Sequence, residues 1–397
     1  MARLAMPEFT GKRWLTAIPI VYEENGAFWD RDCGLLTLGM LKIGVDSKFV
    51  ALGEPQVRKD VPLILGPLEQ WSRPEWWKQW RADGVMFNSW GAPRYEPIAR
   101  AIKESGARLI IRLDTDGFKS PRTHFFRFLK NTYTYAKDCG PRPAGLYALA
   151  KTLLFRFAPS AYDHGMVRHL EHADGIIVES PLARAIVARY LQGRGRADLA
   201  ARLRMVAHPI KDEFCHDPAV PKEPRVLVVG RCASYQKDTP LLMGVLERTL
   251  PHNRDYRATI IGSGMEKVRS WHARLPQPIR ERVSIAGRLE HADLKRHYQQ
   301  SRIIVFTSRF EGFPVAGEEA LACGCSVVAP GTLPSVQYMT LEGSGTCSIS
   351  RRANDLGDAL AAEMQLWRQS LRDPRRISDL WRPRVAASAV AAQVVQL

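Results

Sequence analysis

The chain has 397 residues, 45% of them hydrophobic and 25% charged, with 57 Lys and Arg against 41 Asp and Glu for a net charge of +16. That length suits two domains better than one, and the composition is that of an ordinary soluble globular protein. The charge points to an anionic partner, whether nucleic acid, an acidic membrane surface or a phosphorylated substrate, without choosing among them.

Lys12 and Arg13 precede the apolar run Leu15 to Tyr22, which Glu23 and Glu24 follow where a signal peptide would have small residues. The run reads as a first buried strand. Phe49 to Leu52, Val85 to Phe87, Leu109 to Leu113 and Gly175 to Val178 continue the series. A Pro-rich, charged stretch, Pro209 to Arg225, reads as a linker. Beyond it come Val226 to Val229, Ala258 to Ile261, Val283 to Ala286, Ile303 to Phe306 and Ser326 to Ala329, with helical patterns such as Pro240 to Leu250 and Ala292 to Gln300 between them. The runs are rich in β-branched residues and do not alternate, as in strands buried on both faces of a parallel sheet. Two such series predict two doubly wound α/β domains, residues 1–210 and 211–397, the second ending in a small, apolar helix over Val385 to Leu397. The longest uncharged stretch, Ala320 to Leu341, is broken by Gly324, Pro330, Gly331 and Pro334, so it does not make a spanning helix.

Cys33, Cys139, Cys215, Cys232, Cys323, Cys325 and Cys347 are odd in number and form no C-x-x-C pair. Buried, unreactive thiols in an intracellular protein are the expectation.

Chemistry concentrates in Phe310 to Pro330, FEGFPVAGEEALACGCSVVAP. Glu311 opens a Gly/Pro loop after a strand, and Glu319 falls in the first turn of the next helix. Ligands of open α/β sheets bind beyond the carboxyl ends of strands, and helix starts favour anions or hydroxyl oxygens. A lone pair of glutamates there, Glu318 and Glu319, would only complement the helix dipole. Upstream, however, Gly230-Arg231 follows a strand end and Lys237 comes six positions later, a diphosphate clamp by composition and position. Gly262-Ser263-Gly264 follows another strand and lets backbone come close to a neighbour.

Taken together these residues resemble the retaining GT-B glycosyltransferases, particularly family 4, also called group 1. The match lies in Glu311, Gly312, Phe313, Pro314, Glu319, Ala320, Ala322, Cys323, Gly324, Val327 and Val328, in Gly230, Arg231 and Lys237, in Gly262 and Gly264, in Ala286 to Leu289, and in Ala173 to Leu182 and Pro209-Ile210. The resemblance implies a GT-B fold, two Rossmann-like domains facing a cleft, the first binding acceptor and the second binding donor. It implies that Arg231 and Lys237 hold the donor diphosphate, that Glu319 holds the ribose and that Glu311, with the backbone of Gly312, Phe313, Pro314 and Val315, holds the transferred sugar. Preorganised cations would then stabilise the leaving diphosphate without a metal. No cofactor is expected beyond the nucleotide-sugar substrate, whether UDP-, GDP- or ADP-linked. The acceptor would be a sugar, a glycan or a lipid-linked molecule, and nucleic acid is not the expected partner.

The first half departs from the family. In place of a glycine-rich loop after the first strand, Gly26 and Gly34 flank Ala27-Phe28-Trp29, and the place of a common histidine reads Arg112-Leu113-Asp114-Thr115-Asp116-Gly117. Gly26, Asp114 and Asp116 are therefore the acceptor-side candidates. D-x-D is also the metal-binding signature of GT-A enzymes, but Asp30-Arg31-Asp32 repeats it and the chain has a better clamp elsewhere. Phe118 to Phe157 carries eight basic residues against the single acid Asp138, interleaved with nine aromatics. Such a region either docks on an anionic membrane, placing a cytoplasmic enzyme at its surface, or is a packed helix pair with a solvated basic face. The rival functions are a GT-B sugar-nucleotide epimerase and a non-catalytic GT-B scaffold.

Overall fold

The computed structural model describes residues 9–24, 28–30, 32–58, 60–139, 143–159 and 162–397. The chain divides into two compact units. The first comprises Met1–Phe128, Ala150–Asp212 and Arg384–Leu397, and the second Leu129–Leu149 and Glu213–Pro383.

Eight strands form the sheet of the first unit: β1 (Arg13–Val21), β2 (Asp46–Leu52), β3 (Gln56–Val57), β4 (Leu63–Gly66), β5 (Gly84–Asn88), β6 (Arg108–Arg112), β7 (Gly175–Val178) and β8 (Leu203–Met205). Their order is β3-β4-β2-β1-β5-β6-β7-β8, parallel except where β3 pairs with β4. Successive side chains go to opposite faces. On β1 and β5, Leu15, Ala17, Val85 and Phe87 enter a core with Trp71, Trp77 and Ile102. Trp14, Ile18 and Met86 enter the opposite one with Leu36 and Met40. Burial on both faces is why these strands read as unbroken apolar runs.

The C-terminal helix Ala387–Gln396 is part of that second core through Val390, Ala391, Val394 and Val395. Ala387 N donates to Ile210 O at 2.9 Å, and a Cβ at Gly39 would lie 2.3 Å from Ala387 O. The helix thus returns to the first unit, whereas a division by sequence order puts it in 211–397. The apolar face of this short helix is satisfied by the helix Asp32–Lys42, a partner that local sequence does not disclose.

The second unit holds β9 (Glu223–Val229), β10 (Arg257–Ile261), β11 (Val283–Gly287), β12 (Ser301–Val305), β13 (Ser326–Pro330) and β14 (Gly345–Ser348). They lie in the order β11-β10-β9-β12-β13-β14, all parallel. Counted within the unit this is the order 3-2-1-4-5-6 of dinucleotide-binding sheets, and the order reverses between β9 and β12. The sheet centre is apolar on both faces, with Leu227, Ile260, Ile304 and Val327 fully buried.

Two helices, Phe125–Asp138 and Ala144–Phe157, occupy the basic and aromatic region. Phe128, Ala136, Ala148 and Thr152 are buried. Phe126, Tyr135, Leu146, Leu149, Leu153, Leu154 and Phe157 are exposed. Among the described residues no helix is long and apolar enough to cross a membrane. All seven cysteines are free, and only Cys139 is exposed.

Candidate functional site

At the switch between β9 and β12 two loops leave the carboxyl ends of adjacent strands. The loop after β9 carries Gly230 to Asp238, and the loop after β12 carries Phe306 to Pro314. They meet through Lys237, whose Nζ lies 2.6 Å from Glu311 Oε1. Glu311 is nearly buried, and Ser308 Oγ donates to the same oxygen at 2.5 Å while Gln236 Nε2 reaches Oε2 at 3.3 Å. A carboxylate withdrawn from water needs such partners, and these three orient it.

The lysine is fixed by a network the sequence did not signal. Asp238 adopts a left-handed conformation (φ 50°) between the turn Tyr235–Lys237 and the helix Thr239–Thr249. Its carboxylate accepts from Arg309 Nη2 at 2.7 Å and from Arg351 Nη2. Arg309 also lies 4.2 Å from the Tyr235 ring centroid, and its backbone N donates to Gln236 O at 2.7 Å. Thr307 Oγ1 donates to Lys237 O at 2.7 Å. Arg309, two residues before Glu311, carried a positional hint; Arg351, 113 residues from Asp238, carried none.

Arg231 faces a neighbouring recess of about 620 Å³, lined also by Ser263, Lys267, Arg309, Lys137 and Asp138. Four cations there leave a net positive, open wall suited to phosphate oxygens. Asp138, the lone acid of its region, braces the same loop: Ser234 Oγ donates to it at 2.9 Å and Gln236 N at 3.2 Å.

Gly262 and Gly264 are required for a reason beyond ligand approach. A Cβ at Gly262 (φ 140°) would lie 1.8 Å from Gly230 O, and one at Gly264 (φ 70°) would lie 2.4 Å from the Ala233 Cβ. Gly230 N donates to Ile261 O and Cys232 N to Ser263 O, so the loops after β9 and β10 are zipped backbone to backbone. The glycines let the Arg231 loop lie where it does.

The helix Val315–Ala322 begins after Pro314, and Phe313 is buried against Tyr338. Glu319 is nearly buried, with Tyr298 Oη donating to its Oε2 at 2.9 Å. Burial and the Glu319 charge push the Tyr298 phenol far up, so it stays a donor. Glu318 beside it is fully buried and does not act as a solvated charge at a helix start.

In the first unit, Asp114 and Asp116 part ways. Asp116 accepts from Phe118 N at 3.1 Å and pairs with Arg127 at 3.6 Å, which commits it to its own loop. Asp114, at φ 44°, receives His208 Nε2 at 3.3 Å, and His208 Nδ1 reaches Asp32 at 3.1 Å. Burial opposes the charged imidazole, but its hydrogen bonds to Asp114 and Asp32 prevail and raise its pKa well above the ordinary value. Burial likewise works to raise the Asp114 carboxyl, and the His208 bond overrides it and lowers the pKa far below the usual range. Sequence reading missed His208 because it follows β8, 94 residues from Asp114. Gly26 lies outside the described residues.

Residues 223–365 match the family model described as glycosyl transferases group 1. The matched segment lies in the second unit and takes in its six strands. One subunit of the human phosphatidylinositol N-acetylglucosaminyltransferase is 30% identical over 126 residues, 31% of this chain and 26% of that protein. The match therefore spans about a quarter of the relative's length. Among solved structures, the Anabaena protein HepE in complex with UDP and glucose superposes with a TM-score of 0.60 at 14% identity, covering 96% of this chain and 98% of that one. WaaB, a lipopolysaccharide outer core galactosyltransferase, gives 0.60 at 15% identity, covering 97% and 100%. At these identities the likeness is one of fold: the chain has the GT-B fold of two Rossmann-like units. The segment similar to that family contains the Lys237–Glu311 pair, the zipped glycine loops and Glu319.

Proposed function

We propose that the protein is a retaining glycosyltransferase that moves a sugar from a nucleotide-sugar donor to a sugar, glycan or lipid-linked acceptor without a metal ion. The observation that carries this reading is the Lys237–Glu311 contact at the switch point of the segment similar to group 1 glycosyltransferases. One cation and one carboxylate then stand within reach of a single bond, the one joining sugar to diphosphate. Breaking that bond leaves negative charge on the diphosphate and positive character on the sugar, so a paired cation and anion stabilise both halves at once.

In this reading Arg231 and Lys237 receive the diphosphate, Arg231 from the open recess and Lys237 from the closed side. Glu311 lies against the transferred sugar and Glu319, oriented by Tyr298, takes the ribose hydroxyls. The Asp238, Arg309 and Arg351 network keeps Lys237 positioned before substrate arrives, so no reorganisation is needed during reaction. His208, held between Asp114 and Asp32, keeps the Asp114 carboxylate placed for the acceptor side, where it accepts from an acceptor hydroxyl. The exposed Phe126, Leu153, Leu154 and Phe157 beside basic residues of Phe125–Asp138 and Ala144–Phe157 support docking of a cytoplasmic enzyme on an anionic membrane, which would suit a lipid-linked acceptor.

Thermal shift against UDP-, GDP- and ADP-sugars tests the proposal, because a cognate donor raises stability by mass action. One class is expected to raise the melting temperature in a saturable way. A protein indifferent to all three at millimolar concentration would contradict it.

A further inference from the structure

A second basic recess lies within the first unit. It has a volume of about 590 Å³ and is lined by Arg122, Thr123, Arg156, Arg189, Tyr190 and Arg194. We propose that it binds a phosphate ester.

Four guanidinium groups converge there from three segments: the loop before the helix Phe125–Asp138, the end of the helix Ala144–Phe157 and the end of the helix Pro181–Gln192. Asp163, fully buried, pairs with Arg194 and stands 3.7 Å from Arg122. Ser120 Oγ also donates to it at 3.3 Å. Arg194 is further set by the Tyr190 ring, 5.3 Å from its guanidinium. Arg156 and Arg189 have no acidic partner among the described residues. One carboxylate against four guanidiniums leaves the recess at 4 − 1, a net +3. Thr123 Oγ1 is buried at its wall without a hydrogen bond, where a phosphate oxygen would satisfy it.

These features select the ligand's chemistry. The planar fork of a guanidinium matches two oxygens of a phosphate, and a phosphate monoester carries about −1.5 to −2 charges, enough to quiet the repulsion among the arginines. The volume lies within the range of small-molecule sites, about 300–1,000 Å³, so it admits the phosphate with part of its alcohol. The last two turns of the helix that supplies Arg156 expose Leu153, Leu154 and Phe157, the last 78% accessible. An apolar group esterified to the phosphate has surface to meet there.

The test uses the full chain at fixed ionic strength. Glycerol phosphate is titrated calorimetrically into wild type, into Arg156→Gln/Arg189→Gln, and into the control Arg274→Gln/Arg280→Gln, which removes equal charge elsewhere. Binding to wild type and control, weakened at least about ten-fold in the recess variant, is the expected result. Equal affinity in all three proteins, or equal loss in both variants, would overturn the proposal. Cosedimentation then separates the ligand's sources. Vesicles of phosphatidic acid in phosphatidylcholine that pellet wild type, but neither the recess variant nor Leu154→Ser/Phe157→Ser, assign the phosphate to a lipid headgroup. Wild type that binds glycerol phosphate and ignores those vesicles assigns a soluble phosphate ester to the same recess.

Discussion

Lys237 Nζ lies 2.6 Å from Glu311 Oε1, although 74 residues separate the two in sequence. The pair is asymmetric: the lysine is about a quarter exposed, the glutamate almost wholly buried. Removing the lysine therefore disturbs the fold as well, because among the described residues it leaves a buried carboxylate with Ser308 and Gln236 for side-chain support.

Arg231 and Lys237 accordingly differ in what their loss does. Each alanine variant is expected to lower turnover by about 2–4 kcal/mol of transition-state stabilisation. Arg231→Ala should keep wild-type stability, since its side chain faces an open recess. Lys237→Ala should also lose about 1–3 kcal/mol in urea unfolding, and Lys237→Ala/Glu311→Gln should regain part of it. Identical unfolding curves for the two single variants would argue that Glu311 does not depend on Lys237.

The two glutamates should separate in a binding experiment. Glu311→Gln is expected to reduce turnover more than nucleotide affinity, because the proposed function sets Glu311 against the transferred sugar. Glu319→Gln is expected to loosen free nucleoside diphosphate, because the proposed function sets Glu319 at the ribose. Calorimetry with the nucleotide alone checks this, and equal loss in both variants would refute the division.

Gly262→Ala should be severely destabilising for its size. Its Cβ would fall 1.8 Å from Gly230 O, a backbone atom that has nowhere to go. A loss of about 1–3 kcal/mol or more is expected, with nucleotide affinity falling alongside as the Arg231 loop shifts. Chemical denaturation measures the first effect; an unchanged midpoint would mean that the loops after β9 and β10 are not packed as described.

His208 makes the first unit's stability depend on pH in a defined direction. Its folded pKa is raised, so its contribution is complete below the unfolded value of about 6.5 and fades as pH rises through the higher folded value. Asp114, with a lowered folded pKa, contributes above about 3.9 and loses its contribution only as pH falls below that. Melting temperature should therefore decline on the alkaline side in wild type and decline less in His208→Gln. Parallel profiles would show that the imidazole is not held charged.

If side-chain cations hold the diphosphate, as proposed, activity persists in chelator. Complete loss in EDTA, restored by Mn²⁺ or Mg²⁺, would return Asp114 and Asp116 to consideration as metal ligands.

What could be read from sequence follows the physics of each element. Central strands such as β5 and β12 are buried on both faces, so their apolar runs gave them away. The short strands β3, β8 and β14 are polar or half-buried and left no such trace. Glu311 and Lys237 were legible because each follows a strand end in a recognisable string. Arg351, His208 and Asp138 were not, since each reaches its partner only through the fold. The basic, aromatic region looked like one surface, but its residues divide between the two units and its one acid braces the Lys237 loop.

The most direct test of the central claim is calorimetric titration of the stabilising nucleotide-sugar into wild type and into Lys237→Met, in EDTA. If Lys237 and Glu311 form the donor site, the substitution weakens binding by about 30-fold or more, corresponding to about 2 kcal/mol, while the variant remains folded by circular dichroism. Unchanged affinity in a folded variant would contradict the account.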